Sequence, residues 1–332
     1  MDVTDLLARA AAAGASDLHL AVGETPLLRL DGQLQRMDLA PLSASQLVEG
    51  LAPLLEDDQR RQWRACEELD LAVSLADGSR CRLNLFCQHA GLAASVRLLP
   101  GRVPTLAELG LEEVFQPVAQ YTDGLVLVGG PTGSGKSSSL AALVDWLNRE
   151  RALHIITLED PIEVIHSGQR SLVTQREIGR HSRDFAQALR SALRQDPDVI
   201  MLGELRDLES IRLALRAAQT GHLVLATVHT RSAVNSVDRL VEVFAAEEQP
   251  LVRAMLADSL RLVVAQVLVR RVGGGRVAAR EVLVGTTAVR NLIREGRMAQ
   301  LYSVMQTGGA VGMRTMEAAL QALRAQGVIE PA

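Results

Sequence analysis

The chain has 332 residues, of which 48% are hydrophobic and 22% charged, and its formal net charge is −4 at pH 7. These values are typical of a globular protein large enough for two domains, and they exclude a disordered or strongly basic chain. Aromatic residues make up only 2% of the sequence, so surfaces that stack on nucleic-acid bases are not expected. We therefore predict no nucleic-acid partner.

Lysine is unusually rare in this chain. Of the 35 lysine and arginine residues, only Lys136 is lysine and the remaining 34 are arginine. Lysine carries a compact ammonium where arginine carries a larger planar guanidinium, so the two are not interchangeable in a tight anion site. We therefore expect Lys136 to occupy a site that requires a compact ammonium.

The cysteines and the apolar runs bear on the cellular compartment. Cys66, Cys81 and Cys87 are an odd number without CxxC spacing, and we expect them to be buried reduced thiols rather than a disulfide framework or zinc site. The N-terminus is acidic where a signal peptide is basic, and no apolar run approaches the roughly 18–20 residues of a transmembrane helix. We predict a cytoplasmic protein without an integral membrane segment.

The first hundred residues have the pattern of a small α+β domain. Helical spacing is followed by short strands, two polar helices and three further strands, at 2–13, 17–20, 27–30, 43–52, 56–65, 69–75, 79–87 and 91–98. A turn is predicted at Asp77-Gly78. We expect an antiparallel sheet within a domain at 1–100, followed by a linker at 101–104.

From residue 105 onward, short unbroken apolar runs alternate with amphipathic helices, which is typical of a parallel sheet covered on both faces. Strands are predicted at 124–128, 154–158, 198–202 and 223–228, and helices at 136–149, 183–195 and 207–219. A strand pair at 262–270 and 276–284 and three short helices near 286–295, 297–306 and 314–326 follow. The predicted fold class is α/β.

The segment GPTGSGKS matches the phosphate-binding loop pattern GxxxxGK[ST] and lies between a predicted strand and a predicted helix. Its residues are Gly130, Pro131, Thr132, Gly133, Ser134, Gly135, Lys136 and Ser137, and Ser138 follows. Glycines let the loop curl its N–H groups toward phosphates, Lys136 reaches the β- and γ-phosphates, and the Ser137 hydroxyl ligates Mg²⁺ directly. The alternative is a glycine-rich turn that matches by accident.

Carboxylates follow two of the predicted strands. Glu204 ends the run DVIMLGE, where it is placed to bind Mg²⁺ through water or to orient the attacking water. Glu159, Asp160 and Glu163 follow the strand at 154–158 and are candidates for Mg²⁺ binding through water or for water activation. The alternative for each is a solvated carboxylate in a loop. His229, just past the strand at 223–228, is a candidate for nucleotide contact, although a lone histidine is more often structural.

Four ordered segments resemble the motifs of the secretion ATPase superfamily of type II secretion and type IV pili. They are GPTGSGKS at 130–137, TLEDPIE at 157–163, DPDVIMLGELRD at 196–207 and TGHLVLATVHT at 220–230. In that superfamily they look like Walker A, the Asp box, an atypical Walker B and the His box. The segment AVRNLIRE at 288–295 is similar to the AIRNLIRE motif of the type IV pilus retraction ATPases, the PilT-like proteins.

The resemblance implies a PAS-like N-terminal domain, a RecA-like ATPase domain at 105–332 ending in a helical subdomain at about 286–332, and a homohexameric ring that holds ATP between the domains. It implies that Glu204 is the catalytic glutamate, with Glu163 assisting and His229 near the γ-phosphate. Mg²⁺ would be held directly by Ser137 and through water by Glu159 and Glu204.

The resemblance also implies roles for particular arginines and for one helix. Arg82 and Arg97 resemble arginines that close onto the phosphates, and Arg194 and Arg239 lie at positions of intersubunit arginines. The helix at 286–295 is expected to couple the motor to its partner, the alternative being a purely structural helix. Its predicted coupling residues are Arg290, Asn291, Leu292, Ile293, Arg294 and Glu295.

The function implied is that of a hexameric, Mg²⁺-dependent ATPase that powers type IV pilus retraction, as in twitching motility. Its expected partners are the inner-membrane platform protein of the pilus machine and other pilus ATPases, at the cytoplasmic face of the membrane. One alternative is a pilus-extension or type II secretion ATPase, although such relatives often carry a four-cysteine metal insertion that this sequence lacks. The other is an accessory ring subunit that binds ATP without hydrolysing it.

Overall fold

A computed structural model describes residues 3–30, 32–75, 79–99 and 101–331. The chain divides into two compact units. The N-terminal unit runs to Arg102 and also contains Pro161–Val164, and the second unit comprises the other residues from Val103 onward. The boundary between Arg102 and Val103 falls inside the segment predicted as a linker.

The N-terminal unit is an antiparallel sheet flanked by helices. Its strands are β1 (Asp17–Ala21), β2 (Leu27–Leu30), β3 (Gln33–Arg36), β4 (Leu69–Ser74), β5 (Arg80–Gln88) and β6 (Gly91–Leu99), and its helices are α1 (Val3–Ala12), α2 (Ala44–Leu51) and α3 (Asp57–Arg64). Within the described ranges the six strands lie in the order β3-β2-β1-β6-β5-β4, and each neighbouring pair is antiparallel. β3 is exposed along its whole length and was not predicted, and the predicted turn at Asp77-Gly78 lies outside the described residues.

Leucines from helices and sheet fill the core of this unit. Leu6 and Leu7 of α1, Leu47 of α2 and Leu83 of β5 are at most 2% exposed. Trp63 of α3 is buried in the same cluster. Along β5 the buried residues Cys81, Leu83 and Leu85 alternate with more accessible ones and supply one apolar face, which is what an antiparallel sheet covered on one side requires.

The cysteine prediction was wrong for two of the three residues. Cys66 and Cys87 form a disulfide, and only Cys81 is a free, buried thiol. Cys66 follows the last turn of α3, and packing of this helix against β5 brings the two Cα atoms to 5.3 Å, within the range a disulfide can bridge. Sequence spacing carries no signal for such a pair, because the contact depends on tertiary packing.

The second unit alternates strands and helices. Its strands are β7 (Gly124–Gly129), β8 (His154–Glu159), β9 (Leu172–Glu177), β10 (Val199–Leu202), β11 (Leu223–Val228), β12 (Leu260–Arg270) and β13 (Arg276–Val284). Its helices are α4 (Leu106–Leu109), α5 (Glu112–Phe115), α6 (Lys136–Glu150), α7 (Phe185–Ala192), α8 (Leu208–Gln219), α9 (Ala233–Glu242), α10 (Gln249–Ser259), α11 (Thr287–Arg294), α12 (Leu301–Thr307) and α13 (Met316–Ala325).

The strands of this unit form one mixed sheet. Their order among the described residues is β13-β12-β7-β11-β10-β8-β9, with parallel pairing from β12 to β9 and an antiparallel edge strand β13. Every residue of β7, β10 and β11 is buried, as expected for strands covered on both faces. The predicted strands and helices of this half agree with the structure, whereas β9, α4, α5, α9 and α10 were not predicted.

Helices cover the two faces of this sheet with separate apolar clusters. Alternate residues of each central strand point to opposite faces: Leu125 and Leu127 pack in one cluster, and Val126 and Val128 in the other. Helix α6 contributes to the second cluster, and α8 to the first. This arrangement leaves the carboxyl ends of the parallel strands as the edge at which such sheets bind ligands.

Candidate functional site

The loop between β7 and α6 has the conformation of a phosphate cradle. Gly130, Gly133 and Gly135 have φ values of 150°, 76° and 88°, which side-chain-bearing residues rarely adopt. A Cβ atom at Gly130 would lie 2.5 Å from the carbonyl oxygen of Gln266, so a side chain has no room there. The loop delivers the chain to the first turn of α6, where backbone N–H groups lack helical acceptors and favour an anion.

Lys136 folds back over this loop. Its Nζ donates hydrogen bonds to the carbonyl oxygens of Gly130 and Pro131, at 2.8 and 3.0 Å. The side chain is buried, and burial lowers the pKa of Lys136 from its ordinary value. Two of its three N–H donors are engaged by the loop, which leaves one for a phosphate oxygen.

Ser134 and Ser137 offer further groups to a bound phosphate and its metal. The Oγ of Ser134 is buried and has no hydrogen-bond partner among the described residues. Ser137 is exposed on the first turn of α6. A buried hydroxyl without a partner is costly, and an oxygen-rich ligand in the loop would satisfy it.

Glu204 is placed by hydrogen bonds that hold the end of β10 on both sides. The N–H of Gly203 donates to the carbonyl of Leu158 on β8 at 2.8 Å, and that of Leu205 donates to the carbonyl of Thr227 on β11 at 2.9 Å. The Glu204 carboxylate is only 13% exposed and forms an ion pair with Arg206. The strand end therefore fixes the direction of this carboxylate.

His229 completes this group from the end of β11. Its Nε2 lies 3.0 Å from Oε2 of Glu204. Partial burial, followed by the positive charges of Lys136 and Arg206, lowers the pKa of His229 below its ordinary value. The ring is therefore neutral near pH 7, and its Nε2–H donates to the carboxylate.

Glu159, at the end of β8, is held by two side chains. Its Oε1 accepts hydrogen bonds from Thr157 Oγ1 at 2.7 Å and from Gln175 Nε2 at 3.2 Å. Since β8 and β10 are neighbours in register, Glu159 and Glu204 leave the sheet at adjacent strand ends. The predicted water-mediated role of Glu159 at Mg²⁺ remains a prediction.

The residues present fit a nucleotide with Mg²⁺. Among the described residues, no group of three or more His, Cys, Asp or Glu could hold a metal ion. Mg²⁺ rarely needs one, because it is usually held by one or two protein groups, substrate phosphates and water. The unpartnered Ser134 hydroxyl, the glycine cradle and the exposed Ser137 are consistent with that binding mode.

Three predicted site residues lie in the N-terminal unit and make ion pairs there. Arg82 binds Asp70 with two hydrogen bonds of 2.8 and 2.6 Å, and its Nη1 lies 3.6 Å from Oε1 of Glu163. Arg97 donates from Nε to Asp17 at 2.9 Å. The roles expected of Arg82, Arg97 and Glu163 toward a nucleotide remain predictions.

The two arginines predicted to act between subunits differ in their surroundings. Arg194 follows α7, is exposed, and donates to the carbonyl of Arg190 at 3.0 Å. Arg239 lies on α9 and lines an open cavity of about 340 Å³ together with His229 and Glu242. Arg239 thus shares a surface with a predicted site residue, whereas no such relation is seen for Arg194.

The predicted coupling residues lie on or just after α11. Val289 and Ile293 are buried against the apolar cluster, and Leu292 is partly buried against it. Arg294 is exposed and donates to Asp258 at 2.7 Å and to Asn291 at 3.1 Å. The helix therefore packs one face into the core and presents Asn291, Arg294 and Glu295 to solvent, with Arg290 half-buried beside them.

Two buried polar residues of the β12–β13 pair were not among the site residues predicted from the sequence. Gln266 on β12 is hydrogen-bonded to residues of the phosphate loop and α6. Glu281 on β13 accepts from the N–H of Ala233 at 2.5 Å and of Met316 at 3.3 Å, at the first residues of α9 and α13. The available signal was a lone polar residue in an apolar strand, which indicates that a specific partner is needed.

The fold and this site define a P-loop ATPase of the α/β class. The chain belongs to the family described as Type II/IV secretion system protein. The model of this family matches residues 1–326. This confirms the predicted resemblance and, with the structural match below, the predicted fold class.

Individual relatives are similar over nearly the whole chain. It is 50% identical over 329 residues to the type IV pilus retraction ATPase PilT of Pseudomonas aeruginosa, covering 99% of this chain and 96% of that protein. It is 47% identical to a twitching motility protein of Neisseria gonorrhoeae, covering 92% and 82%. A crystal structure of the pilus retraction motor PilT with bound ADP superposes with a TM-score of 0.89 at 40% identity, covering 99% and 94%.

No helix in the described part of the chain is both long and apolar enough to span a bilayer.

Proposed function

We propose that this chain is an ATP-hydrolysing motor subunit that powers the retraction of type IV pili. The observation that carries the proposal is the Glu204–His229 pair beside the P-loop strand, with His229 following β11 and Gly129 ending β7 in register with Val228. The similarity to the retraction ATPase and the twitching motility protein supports pilus retraction as the process that this motor drives.

The phosphate loop binds and orients the triphosphate. Backbone N–H groups at the start of α6 and the free donor of Lys136 would contact the phosphates, and the Ser137 hydroxyl would hold Mg²⁺. When bound, Mg²⁺ neutralises negative charge that develops on the phosphates. The depressed pKa of buried Lys136 is compatible with this role, because a bound phosphate restores the preference for the ammonium form.

Glu204 orients and deprotonates the attacking water. The neutral ring of His229 donates to Oε2 of Glu204 and so fixes the direction of the carboxylate. Glu159 at the neighbouring strand end would hold Mg²⁺ through water, and the family resemblance assigns Glu163 to assist Glu204. Because Glu204 and Glu159 are held at the ends of two neighbouring strands, these carboxylates need to move little during the reaction.

Hydrolysis depends on assembly into a homohexamer. Arginine side chains neutralise charge on the transferred phosphoryl group, with Arg82 and Arg97 acting from the same chain and Arg239 and Arg194 from a neighbouring one. Arg239 lies on a cavity next to His229 of its own chain, and its assignment as an intersubunit arginine, like that of Arg194, rests on the family resemblance. Because arginines of a neighbouring subunit complete each ATP site, the rate of hydrolysis depends on how adjacent subunits of the ring are arranged.

Helix α11 transmits the movement to the inner-membrane platform protein of the pilus machine. Its exposed face, with Arg294 and Asn291, is available to a partner, and its buried face is anchored in the core. The protein acts in the cytoplasm at the inner face of the membrane, where other pilus ATPases are further partners.

Deletion and complementation test the proposal. In a host with type IV pili, cells lacking the gene should be hyperpiliated and unable to twitch. The intact gene should restore motility, Glu204→Gln should not, and Glu209→Gln, the same change at an exposed carboxylate on α8, should restore it. Bald deletion cells would instead identify an extension motor and overturn the proposal.

A further inference from the structure

Gln266 is an unusual residue for its place in the fold. It lies on β12 within the apolar run from Leu262 to Val269 and is only 1% exposed. Both ends of its amide are paired: Oε1 accepts from Ser139 Oγ at 2.9 Å, and Nε2 donates to the backbone carbonyl of Ser134 at 2.7 Å. A buried amide is costly unless it is paired in this way.

The register of the sheet brings Gln266 to the phosphate loop. Ala265 of β12 pairs with Gly129, the last residue of β7, so Gln266 stands beside the point where the loop begins. The approach is close, because a Cβ atom at Gly130 would lie 2.5 Å from the Gln266 carbonyl and one at Gly135 would lie 3.2 Å from its Nε2. The loop is therefore packed against this residue at both ends.

The hydrogen bond to Ser134 has a directional consequence. In a trans peptide the carbonyl of one residue and the N–H of the next point in opposite directions. Holding the Ser134 carbonyl toward β12 therefore turns the Gly135 N–H away from β12. That N–H belongs to the loop that precedes Lys136, where donors to a phosphate are required.

We propose that Gln266 is a positioning residue for phosphate binding, which acts by fixing the Ser134–Gly135 peptide of the loop. This inference rests on the proposed function only in that the loop binds a nucleotide. Its hydrogen bond to Ser139 satisfies the other end of the buried amide and contributes to stability rather than to phosphate binding.

Nucleotide titrations of the purified full chain test this role. Gln266→Met removes both hydrogen bonds at similar side-chain length, and Ser139→Ala removes only the bond to Ser139. Gln266→Met should weaken ADP binding at least tenfold, Ser139→Ala less than threefold, and both should lower the melting temperature measured without nucleotide. AMP, which lacks the β-phosphate, should lose much less affinity than ADP in the Gln266→Met protein.

Several outcomes overturn the inference. They are an ADP affinity of Gln266→Met within threefold of the unaltered protein, an equal loss in Ser139→Ala, or equal losses of ADP and AMP affinity. If Gln266→Met does not fold, Gln266→Leu removes the same two hydrogen bonds without adding a charge, and the same criteria apply. Failure of the unaltered chain to bind ADP would overturn the proposed function itself, so the two failures are distinguishable.

Discussion

The Nε2 atom of His229 lies 3.0 Å from Oε2 of Glu204, and this contact joins the ends of two adjacent parallel strands. Glu204→Gln removes the base while keeping the shape of the side chain, so the catalytic rate constant should fall about 10²–10⁴-fold. ADP affinity should change less than threefold. Phosphate release and ADP titration measure the two effects, with Glu209→Gln as the control. Turnover above a tenth of the normal rate would contradict the assignment.

Acid should destabilise the protein through its histidines. Burial lowers the pKa of His166 below its ordinary value of 6.5, and the pKa values of His19 and His229 are lowered as well. As the pH falls, these histidines bind protons more readily in the unfolded chain than in the folded one. The contribution of the neutral histidines to the free energy of unfolding is therefore fully present above about pH 6.5 and is lost as the pH falls from there through the folded pKa values.

His166→Gln should therefore lose less stability than the unaltered protein between pH 7.5 and 5.5. The side chain of His166 is 7% exposed, whereas His89 is exposed in the turn after β5, so His89→Gln is the matched control. Urea unfolding at several pH values measures the difference. Parallel pH profiles for the unaltered and His166→Gln proteins would contradict the prediction.

The disulfide is directly measurable. Thiol titration of the denatured, unreduced protein should find one reactive thiol per chain, that of Cys81. Because the bond joins residues separated by 21 positions, its loss should destabilise the N-terminal unit by about 3 kcal/mol. Reductant should lower the melting temperature of the unaltered protein but not that of a Cys66→Ser, Cys87→Ser double variant. Three reactive thiols before reduction would show that the bond does not form.

Substitution of Arg294 should separate ATP hydrolysis from pilus movement. Its side chain is 47% exposed and pairs with Asp258, so Arg294→Ala should cost no more than about 1 kcal/mol of stability. ATP turnover should stay within twofold of normal while twitching motility is lost. Arg324→Ala, at an exposed arginine in the last turn of α13, is the control. Normal motility with Arg294→Ala would refute the coupling role of α11.

Much of the second unit was predictable, because its strands are unbroken apolar runs and its chemical groups follow them directly. Glu204 and His229 were assigned from their places after β10 and β11, and the structure brings them into contact. By contrast, β9 was missed because its sequence, LVTQRE, forms an edge strand whose last four residues are polar and none of whose residues is fully buried. Its pattern resembles that of a loop.

The missed residues depend on contacts between distant parts of the chain. Gln266 bonds to residues 127 and 132 positions away, and nothing in its neighbourhood of the sequence indicates either partner. The cysteine pair likewise depends on how α3 meets β5. Burial of a polar group can be predicted from an apolar run, but the identity of its partner cannot.

Phosphate release by the purified protein with Mg²⁺ and ATP, compared with that of Lys136→Arg, tests the central claim most directly. Lys136 Nζ fits between the carbonyls of Gly130 and Pro131, and a planar guanidinium of the same charge does not reproduce that geometry. We expect steady turnover that requires Mg²⁺ and falls about 10²-fold or more in the variant. Absence of turnover by the unaltered protein under hexamer-forming conditions, or near-normal turnover by Lys136→Arg, would contradict the account.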